Sequence, residues 1–360
     1  MPAYTNKYIT LKRTSFEKYI KNGVLGNIQN NDSIDDVIKE DDVLLHLKLA
    51  YNFTFKEINN YVLYNFFNND GLLKEISLPN LEKINTSSMQ YCFSFCRSLI
   101  SAKMNNLINV GNKGLAYCFQ QCTSLTTAPT FANLTSIDRE GLAYCFQNCS
   151  ALTTAPTFAN LTSIGVYGLQ NCFSFCTSLT TAPTFDSLTS LGDYLASGNT
   201  YDMSNCFNQC TSLTTAPTFA NLTSIGNYSL EYCFYYCTSL TTAPTFDNVT
   251  TIGNNGLRSC FYGCSALTTA PTFAKLADIG NSGLSQCFRN TKITSLSFPA
   301  LTSTSFGSYT NQFNNMLQGV TGCTVHFPSN LQSVIGSWTD VTNGFGGTNT
   351  TVLFDLPATI

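Results

Sequence analysis

The sequence predicts an α/β repeat protein, a solenoid of strand–helix units about 27 residues long with a cap at each end. Two observations lead to this prediction. Pairs of cysteines recur at a nearly constant interval through most of the chain, and an extended "TTAPTF" phrase alternates with a segment of helical periodicity. A third observation, a fall in charge beyond residue 90, sets an N-terminal segment apart from the repeats.

The repeat interval is read from the first cysteine of each pair. Successive intervals are 26, 27, 27, 34, 27, 27 and 27 residues, for Cys92, Cys118, Cys145, Cys172, Cys206, Cys233, Cys260 and Cys287. The one long interval contains a seven-residue insertion within residues 193–204. A period of this length, in which a short strand alternates with a helix, is typical of leucine-rich-repeat solenoids.

Each unit is predicted to contain one short amphipathic helix. In "GLAYCFQNCSAL" the apolar residues stand at offsets 0, 3, 4, 7 and 10, on one helical face: Leu142, Cys145, Phe146, Cys149 and Leu152. The following "TTAPTF" is predicted to be extended, because Pro156 disfavours helix in the residue before it. Leu161 and Ile164 are expected to point inward after it.

The repeated phrase resembles a known family. "IGNNGLRSCFYGCSALTT" is similar to the BspA-like leucine-rich repeats of bacterial surface proteins, some protist proteins and phage-encoded proteins, which read roughly Ile-Gly-x-x-Ala-Phe-x-x-Cys-x-x-Leu before a strand. The resemblance covers residues 76 to about 300. It implies a leucine-rich-repeat fold, and a scaffold for adhesion and binding with no shared catalytic site.

Three regions are expected along the chain. Residues 1–75 form an N-terminal helical cap or attachment domain, where Asp32 is a candidate N-cap. Residues 76–300 form the solenoid, and residues 301–360 form a diverged last repeat and a C-terminal cap. In that last region "CTVHFP" is predicted to be a strand, "SNLQSVIGSW" a closing helix, and "TNTTVLFDLPATI" a β segment that pairs back.

The sixteen cysteines raise three interpretations: a metal site, disulfides or core thiols. Cysteines four apart share a helical face, but a zinc site needs four ligands and the chain has only two histidines. A disulfide between such neighbours has poor geometry. We therefore expect no metal and interpret the central thiols as small core residues, namely Cys118, Cys122, Cys145, Cys149, Cys172, Cys176, Cys206, Cys210, Cys233, Cys237, Cys260 and Cys264.

Charge and composition exclude several classes of protein. The net charge of −3 argues against a nucleic-acid-binding face. No apolar run reaches the length of a membrane span, and the N-terminus lacks the apolar core of an export signal. Beyond residue 90 the surface must consist mainly of Thr, Ser, Asn, Gln and Tyr, as on many extracellular and virion proteins.

Catalysis and glycosylation have little support in the sequence. An acyl-transfer site would need His46 or His326 beside a nucleophile, and no glycine-rich phosphate loop follows a strand, so we expect neither an enzyme nor a cofactor. The recurring asparagines of Asn-x-Thr are interpreted as hydrogen-bonding residues at turns; these are Asn133, Asn160, Asn221 and Asn248.

The outward positions of the predicted helices form the candidate binding surface. They differ from unit to unit, whereas "TTAPTF" hardly changes, and they are rich in tyrosine, which serves recognition surfaces at low entropic cost. Simple drift of exposed positions is the alternative. With the insertion included, the candidate binding residues are Tyr144, Phe175, Tyr194, Tyr201, Tyr232, Tyr235, Tyr236 and Tyr262.

These observations predict a non-enzymatic structural or binding protein. The leading hypothesis is a phage or prophage virion component, made in the host cytoplasm, docked through residues 1–75 and displaying the repeats to a protein or a cell-surface glycan. A bacterial cell-surface adhesin that reaches the surface by a non-classical route is the alternative, and an intracellular protein–protein scaffold is the second. A homo-oligomer is compatible with each.

Overall fold

The computed structural model describes residues 20–21, 24–25, 56–71, 73–78, 80–192, 198–302, 311–335 and 344–359. The predicted N-terminal helix after Asp32, His46, Tyr194 and Trp338 lie outside the described residues.

Short strands recur once or twice in every unit. They are β1 Ile20–Lys21, β2 Val24–Leu25, β3 Glu57–Ile58, β4 Glu75–Ser77, β5 Lys83–Ile84, β6 Ser101–Lys103, β7 Asn109–Val110, β8 Ser136–Ile137, β9 Ser163–Ile164, β10 Ser190–Leu191, β11 Ser224–Ile225, β12 Thr251–Ile252, β13 Asp278–Ile279, β14 Ser295–Ser297, β15 Thr324–Pro328 and β16 Thr351–Leu356.

The strands stack as parallel ladders, apart from the antiparallel pair β1–β2. One sheet has the order β1-β2-β3-β5-β7-β8-β9, a second the order β10-β11-β12-β13, and a third the order β14-β15-β16, while β4 pairs with β6. The "TTAPTF" segment contributes single parallel bridges rather than a strand, through Thr127, Thr154, Thr181, Thr215, Thr242 and Thr269. The predicted solenoid of parallel units is thus confirmed.

The predicted helix of each unit is wrong. In its place the described units have a ribbon of overlapping β-turns. In the unit at residues 138–149, every second N–H bonds the carbonyl three residues back, as in Gly141 to Asp138 (3.0 Å) and Cys145 to Leu142 (3.1 Å). Within the described residues, helix occurs only near the C-terminus: a 3-10 turn at Ser329–Leu331, one α-helical turn at Gln332–Ile335 and the single residue Gly344.

The remaining N–H groups of the ribbon bond the next unit. Leu142, Tyr144 and Phe146 donate to carbonyls 26 residues further along the chain, at 2.8–2.9 Å. This arrangement satisfies the buried backbone donors that an α-helix would satisfy within itself. The ribbon therefore depends on its neighbours, and an isolated unit has no partner for half of its amide donors.

The turns alternate in type along the ribbon. Glu140, Tyr144 and Asn148 have φ of 55°, 58° and 60°. Each is the third residue of its turn, and a positive φ at the third residue is the signature of a type II turn. Such a turn is every second one along the ribbon. The turns between them lack a positive φ at that position, as type I turns do. Among the described non-glycine residues with positive φ there is no Val, Ile or Thr, whose branched Cβ tolerates this region least.

This alternation explains why the inward residues were predicted correctly. Two turns advance the ribbon by four residues, which is close to the 3.6 residues of a helical turn. Leu142, Cys145, Phe146, Cys149 and Leu152 are all fully buried. Several positions that the helix would expose are buried instead, among them Ala143, Ser174, Glu231 and Ser259.

Two columns of phenylalanine fill the core. In the ribbon, rings of successive units stack at centroid distances of 5.3–5.6 Å, from Phe67 through Phe146 to Phe288. The phenylalanine of "TTAPTF" forms the second column, from Phe131 to Phe354. Stacking of identical units thus replaces a single closed core.

The repeat geometry extends beyond the expected limits of the solenoid. Residues 59–70 already form a turn ribbon, upstream of the expected boundary at residue 76, and β3 pairs with β5. At the other end, residues 311–320 form turns of the same kind. β15 lies within "CTVHFP", and β16, within the tail, pairs with it in parallel.

The unit that contains the insertion interrupts the ladder. The long sheet ends at β9 and the next begins at β10, which directly precedes residues 193–197, outside the described part of the chain. Gly192 has φ +66°, and Asp202 follows the insertion at a position that is glycine or serine in the other described units from Ser88 to Gly283. Asp202 is 1% exposed.

Candidate functional site

The outer side chains of the turn ribbon form the candidate site, here named the turn face. It consists of the positive-φ positions in the ribbon of each unit, such as Glu140, Tyr144 and Asn148. It also includes the residue directly before the last of these positions, such as Gln147. Because units stack in register, side chains 26 or 27 residues apart become neighbours. Apart from Tyr61, the tyrosines on this face form three groups.

Two groups are regular stacks. Tyr91, Tyr117 and Tyr144 stack with centroid distances of 4.6 Å. Tyr167, Tyr201 and Tyr228 form the second stack, with distances of 5.3 and 4.6 Å. In both stacks the rings lie face to face, so each ring covers much of its neighbour.

The third group is a cluster rather than a stack, and we name it the tyrosine–arginine patch: Tyr232, Tyr235, Tyr236, Tyr262, Arg258 and Arg289. Tyr235 lies edge-on to Tyr232 and to Tyr236, at 5.4 and 4.6 Å. It also lies 4.9 Å from Tyr262. Tyr236 is the most open ring of the patch, 39% exposed.

Gly263 makes room for the exposed ring of Tyr236. A Cβ placed on Gly263 would lie 2.8 Å from Cδ1 of Tyr236, and the glycine has φ +74°. Other units have larger residues at this position, such as Asn148 and Phe175. Glycine here lets the Tyr236 ring lie against the backbone of the next unit.

Two arginines stack on the patch. The guanidinium of Arg258 lies 5.9 Å from the Tyr232 ring centroid, and that of Arg289 lies 5.0 Å from the Tyr262 centroid. Arg258 also pairs with Glu231 at 3.4 Å. Burial raises the pKa of Glu231 to about 7, against the opposing effect of Arg258, so this carboxylate is easily neutralised.

Arg289 has no carboxylate partner among the described residues. Its Nη1 contacts Oε1 of Gln286 at 3.5 Å, and its buried Nε has no hydrogen-bond partner. The patch therefore presents an uncompensated guanidinium beside one exposed and three partly exposed aromatic rings.

The structure brings together half of the predicted binding residues. Tyr232, Tyr235, Tyr236 and Tyr262 meet in the patch, whereas Tyr144 and Tyr201 belong to the separate stacks. Phe175 lies on the same face, partly exposed, with φ 62°.

The candidate binding residues predicted from the sequence include neither the two arginines nor Gly263. A comparison of units in register would have found them, because Tyr235, Tyr262 and Arg289 are spaced by the 27-residue period. The same comparison would have found the stacking partners of the predicted tyrosines, namely Tyr91, Tyr117, Tyr167 and Tyr228.

The cysteines lie in the core, all sixteen buried and unpaired. The second cysteine of a pair donates its S–H to the phenylalanine carbonyl of the preceding unit at 3.0–3.1 Å, as Cys149 does to Phe119. In the eighth unit Thr291 stands at this position and donates to Phe288 of its own unit. The thiol or hydroxyl at this position donates a hydrogen bond to a buried phenylalanine carbonyl. Alanine in its place would remove that hydrogen bond.

We expect the native thiols to be unreactive. Burial raises the pKa of every cysteine, for example that of Cys176 to about 12, so the thiolate that attacks a disulfide reagent is scarce. Ellman's reagent should report almost no thiol in the native protein and sixteen equivalents in guanidinium chloride. Rapid release from several thiols of the native protein at pH 8 would contradict the core assignment.

The recurring asparagines donate to the preceding unit. The side-chain amide of Asn160 bonds the Ala132 carbonyl at 2.7 Å, and Asn133, Asn221 and Asn248 make the same contact. Their expected backbone hydrogen bonds are confirmed, although the acceptor belongs to the neighbouring unit.

The one described histidine forms an acid–histidine pair. Nδ1 of His326 on β15 lies 2.9 Å from Oδ2 of Asp355 on β16. No hydroxyl or thiol of the described residues hydrogen-bonds this ring, so the pair has no nucleophile. In the same part of the chain, no three His, Cys, Asp or Glu side chains are placed to hold a metal ion. None of the described helices is long and apolar enough to cross a bilayer.

One protein family matches most of the chain. The family model described as "BspA type Leucine rich repeat region (6 copies)" matches residues 56–201, 116–260 and 230–337. No curated protein matches significantly.

Several solved structures are similar. The leucine rich repeat protein of T. pallidum has a TM-score of 0.36 and 19% identity, covering 54% of this chain and 77% of that one. A leucine-rich repeat protein of Bacteroides ovatus scores 0.27 with 16% identity, covering 78% and 92%. The pneumococcal vaccine antigen PcpA scores 0.37 with 14% identity, covering 84% and 77%. No functional inference rests on these likenesses, since each TM-score is low.

Proposed function

The chain belongs to the BspA-type leucine-rich-repeat family, and from that premise we propose that it is a non-catalytic bacterial surface protein whose turn face binds a protein partner. The observation that carries this proposal is the tyrosine–arginine patch. Tyrosine and arginine are the residues most enriched, with tryptophan, at the energetic centres of protein interfaces. The family match favours this cell-surface alternative over the virion hypothesis.

The exposure of Tyr236 supports a role beyond packing. The backbone does not set the patch apart, because Tyr117 and Tyr144 of a regular stack have φ of 59° and 58°, as Tyr232 and Tyr236 have 55° and 56°. The Tyr236 ring, however, is 39% exposed and meets Tyr235 edge-on and Tyr262 at a tilt, so no neighbouring ring covers it face to face. A binding partner would cover this open ring.

The proposal is tested by removing the rings of the patch. A printed array of purified extracellular proteins is probed with the labelled full chain, and the affinity of each hit is measured by biolayer interferometry. The double variant Y236A/Y262A should lose about thirtyfold or more in affinity, as expected for an interface centre of about 2 kcal/mol.

The matched control is Y91A/Y117A, which removes two rings from a stack on the same face. It should bind within about threefold of the wild type. An array without hits, or hits that the patch variant binds as tightly as the control does, would refute the proposal.

A further inference from the structure

We propose that the tyrosine–arginine patch recognises an acidic segment of a protein, with a carboxylate on Arg289 and an apolar side chain against Tyr236. This inference rests on the proposed function and names the chemistry of its partner.

The charge of the patch favours an anionic partner. Of its two arginines, Arg258 pairs with Glu231, whereas Arg289 meets no carboxylate among the described residues. Protonation of Glu231, whose pKa is about 7, releases Arg258 as well. The patch therefore gains positive charge as the pH falls, and a ligand carboxylate supplies the missing counter-charge.

The geometry of Arg289 favours a carboxylate. Its guanidinium is held over the Tyr262 ring at 5.0 Å and touches Gln286, so little rotamer freedom is lost when a ligand binds. Because Nε is buried, a ligand carboxylate would engage the terminal Nη1 and Nη2, which also form a fork for two parallel hydrogen bonds.

The aromatic part of the patch favours a protein over a polysaccharide. The rings of Tyr235 and Tyr236 meet edge-on, with 78° between their planes, and Tyr236 is tilted 47° from Tyr262. Such rings form an uneven surface with gaps between them, whereas a sugar ring stacks best on one flat face. Side chains of different shapes on a peptide can fill these gaps.

A displayed library of random dodecapeptides tests the inference with the full chain. Selection against immobilised wild type is followed by subtraction on the Y236A/Y262A variant. We expect the enriched peptides to carry Asp or Glu next to an apolar residue. Each selected peptide is then synthesised with its acids and with the matching amides, and affinities are measured by calorimetry.

The acidic peptide should bind at least tenfold more tightly than its amide version, and R289Q should lose about tenfold to a hundredfold. The matched control is R139Q, because Arg139 also stacks on a tyrosine of the turn face, Tyr167 at 5.6 Å. This control should bind normally. G263A, which displaces the Tyr236 ring without removing any side chain of the patch, should weaken binding too.

Four results would overturn the inference. Peptides that need the patch but bind equally well as amides refute the acidic partner and leave the proposed function intact. Peptides that bind the Y236A/Y262A variant normally refute both. A library that yields no patch-dependent peptide refutes the protein segment as partner. So does a result in which only polygalacturonate binds in a way that depends on Arg289.

Discussion

Replacing Asp202 with serine is expected to raise the free energy of unfolding at pH 8 by roughly 2–4 kcal/mol. Both carboxylate oxygens of Asp202 are buried without a well-formed hydrogen bond, and the contact with the Gly192 amide offsets only part of the rise in pKa that burial causes. Serine already occupies the same position in two other units, as Ser88 and Ser229.

The gain should depend on pH. Burial raises the pKa of Asp202 from 3.8 to about 7. Between those values the folded chain holds a proton that the unfolded chain has released, so the stability of the wild type falls as the pH rises and is lowest above pH 7. The advantage of D202S should therefore shrink toward zero near pH 4. Glu231, with a pKa of about 7, adds to the same trend.

Denaturant unfolding followed by circular dichroism at pH 4.5, 6 and 8 measures the effect. The matched control is D138S, because Asp138 is an exposed acid in another unit. It should change stability by less than about 0.5 kcal/mol at each pH. A D202S variant that is no more stable than the wild type at pH 8 would show that the carboxylate is solvated or paired.

Replacing Phe146 with alanine is expected to cost about 3–5 kcal/mol. Phe146 is fully buried and stacks on Phe119 and Phe173, each at 5.4 Å, so its removal leaves a cavity between two units. Because every unit satisfies the amide donors of its neighbour, the loss should propagate to the adjacent ribbons.

Hydrogen exchange locates this damage. In F146A the amides of residues 113–123 and 165–176 should lose protection together, while those of residues 255–290 should change least. T157A, a change at an exposed residue of the same unit, serves as the control and should leave the exchange pattern unaltered. Uniform loss of protection along the whole array would contradict a nearest-neighbour solenoid and indicate one cooperative unit.

The candidate recognition surface could be predicted only in part from the sequence. Tyrosine enrichment at the outward positions identifies the turn face, since that conclusion needs only the period of the pattern. The separation of Tyr144 from Tyr236, and the meeting of Tyr262 with Arg289, depend on which unit stacks on which. These contacts are therefore set by the register in which the units stack.

The sequence by itself determined the period, the parallel stacking of units and the identity of the inward residues. The burial of Leu142, Cys145, Phe146 and Cys149 follows from spacing within one unit, and the period follows from the cysteine interval between successive units. The backbone of the ribbon was decided by tertiary structure. Alternating type II and type I turns repeat every four residues, so their apolar pattern resembles that of a helix. The turns are stable only because half of their amides find carbonyls in the next unit, a partner that no single repeat contains.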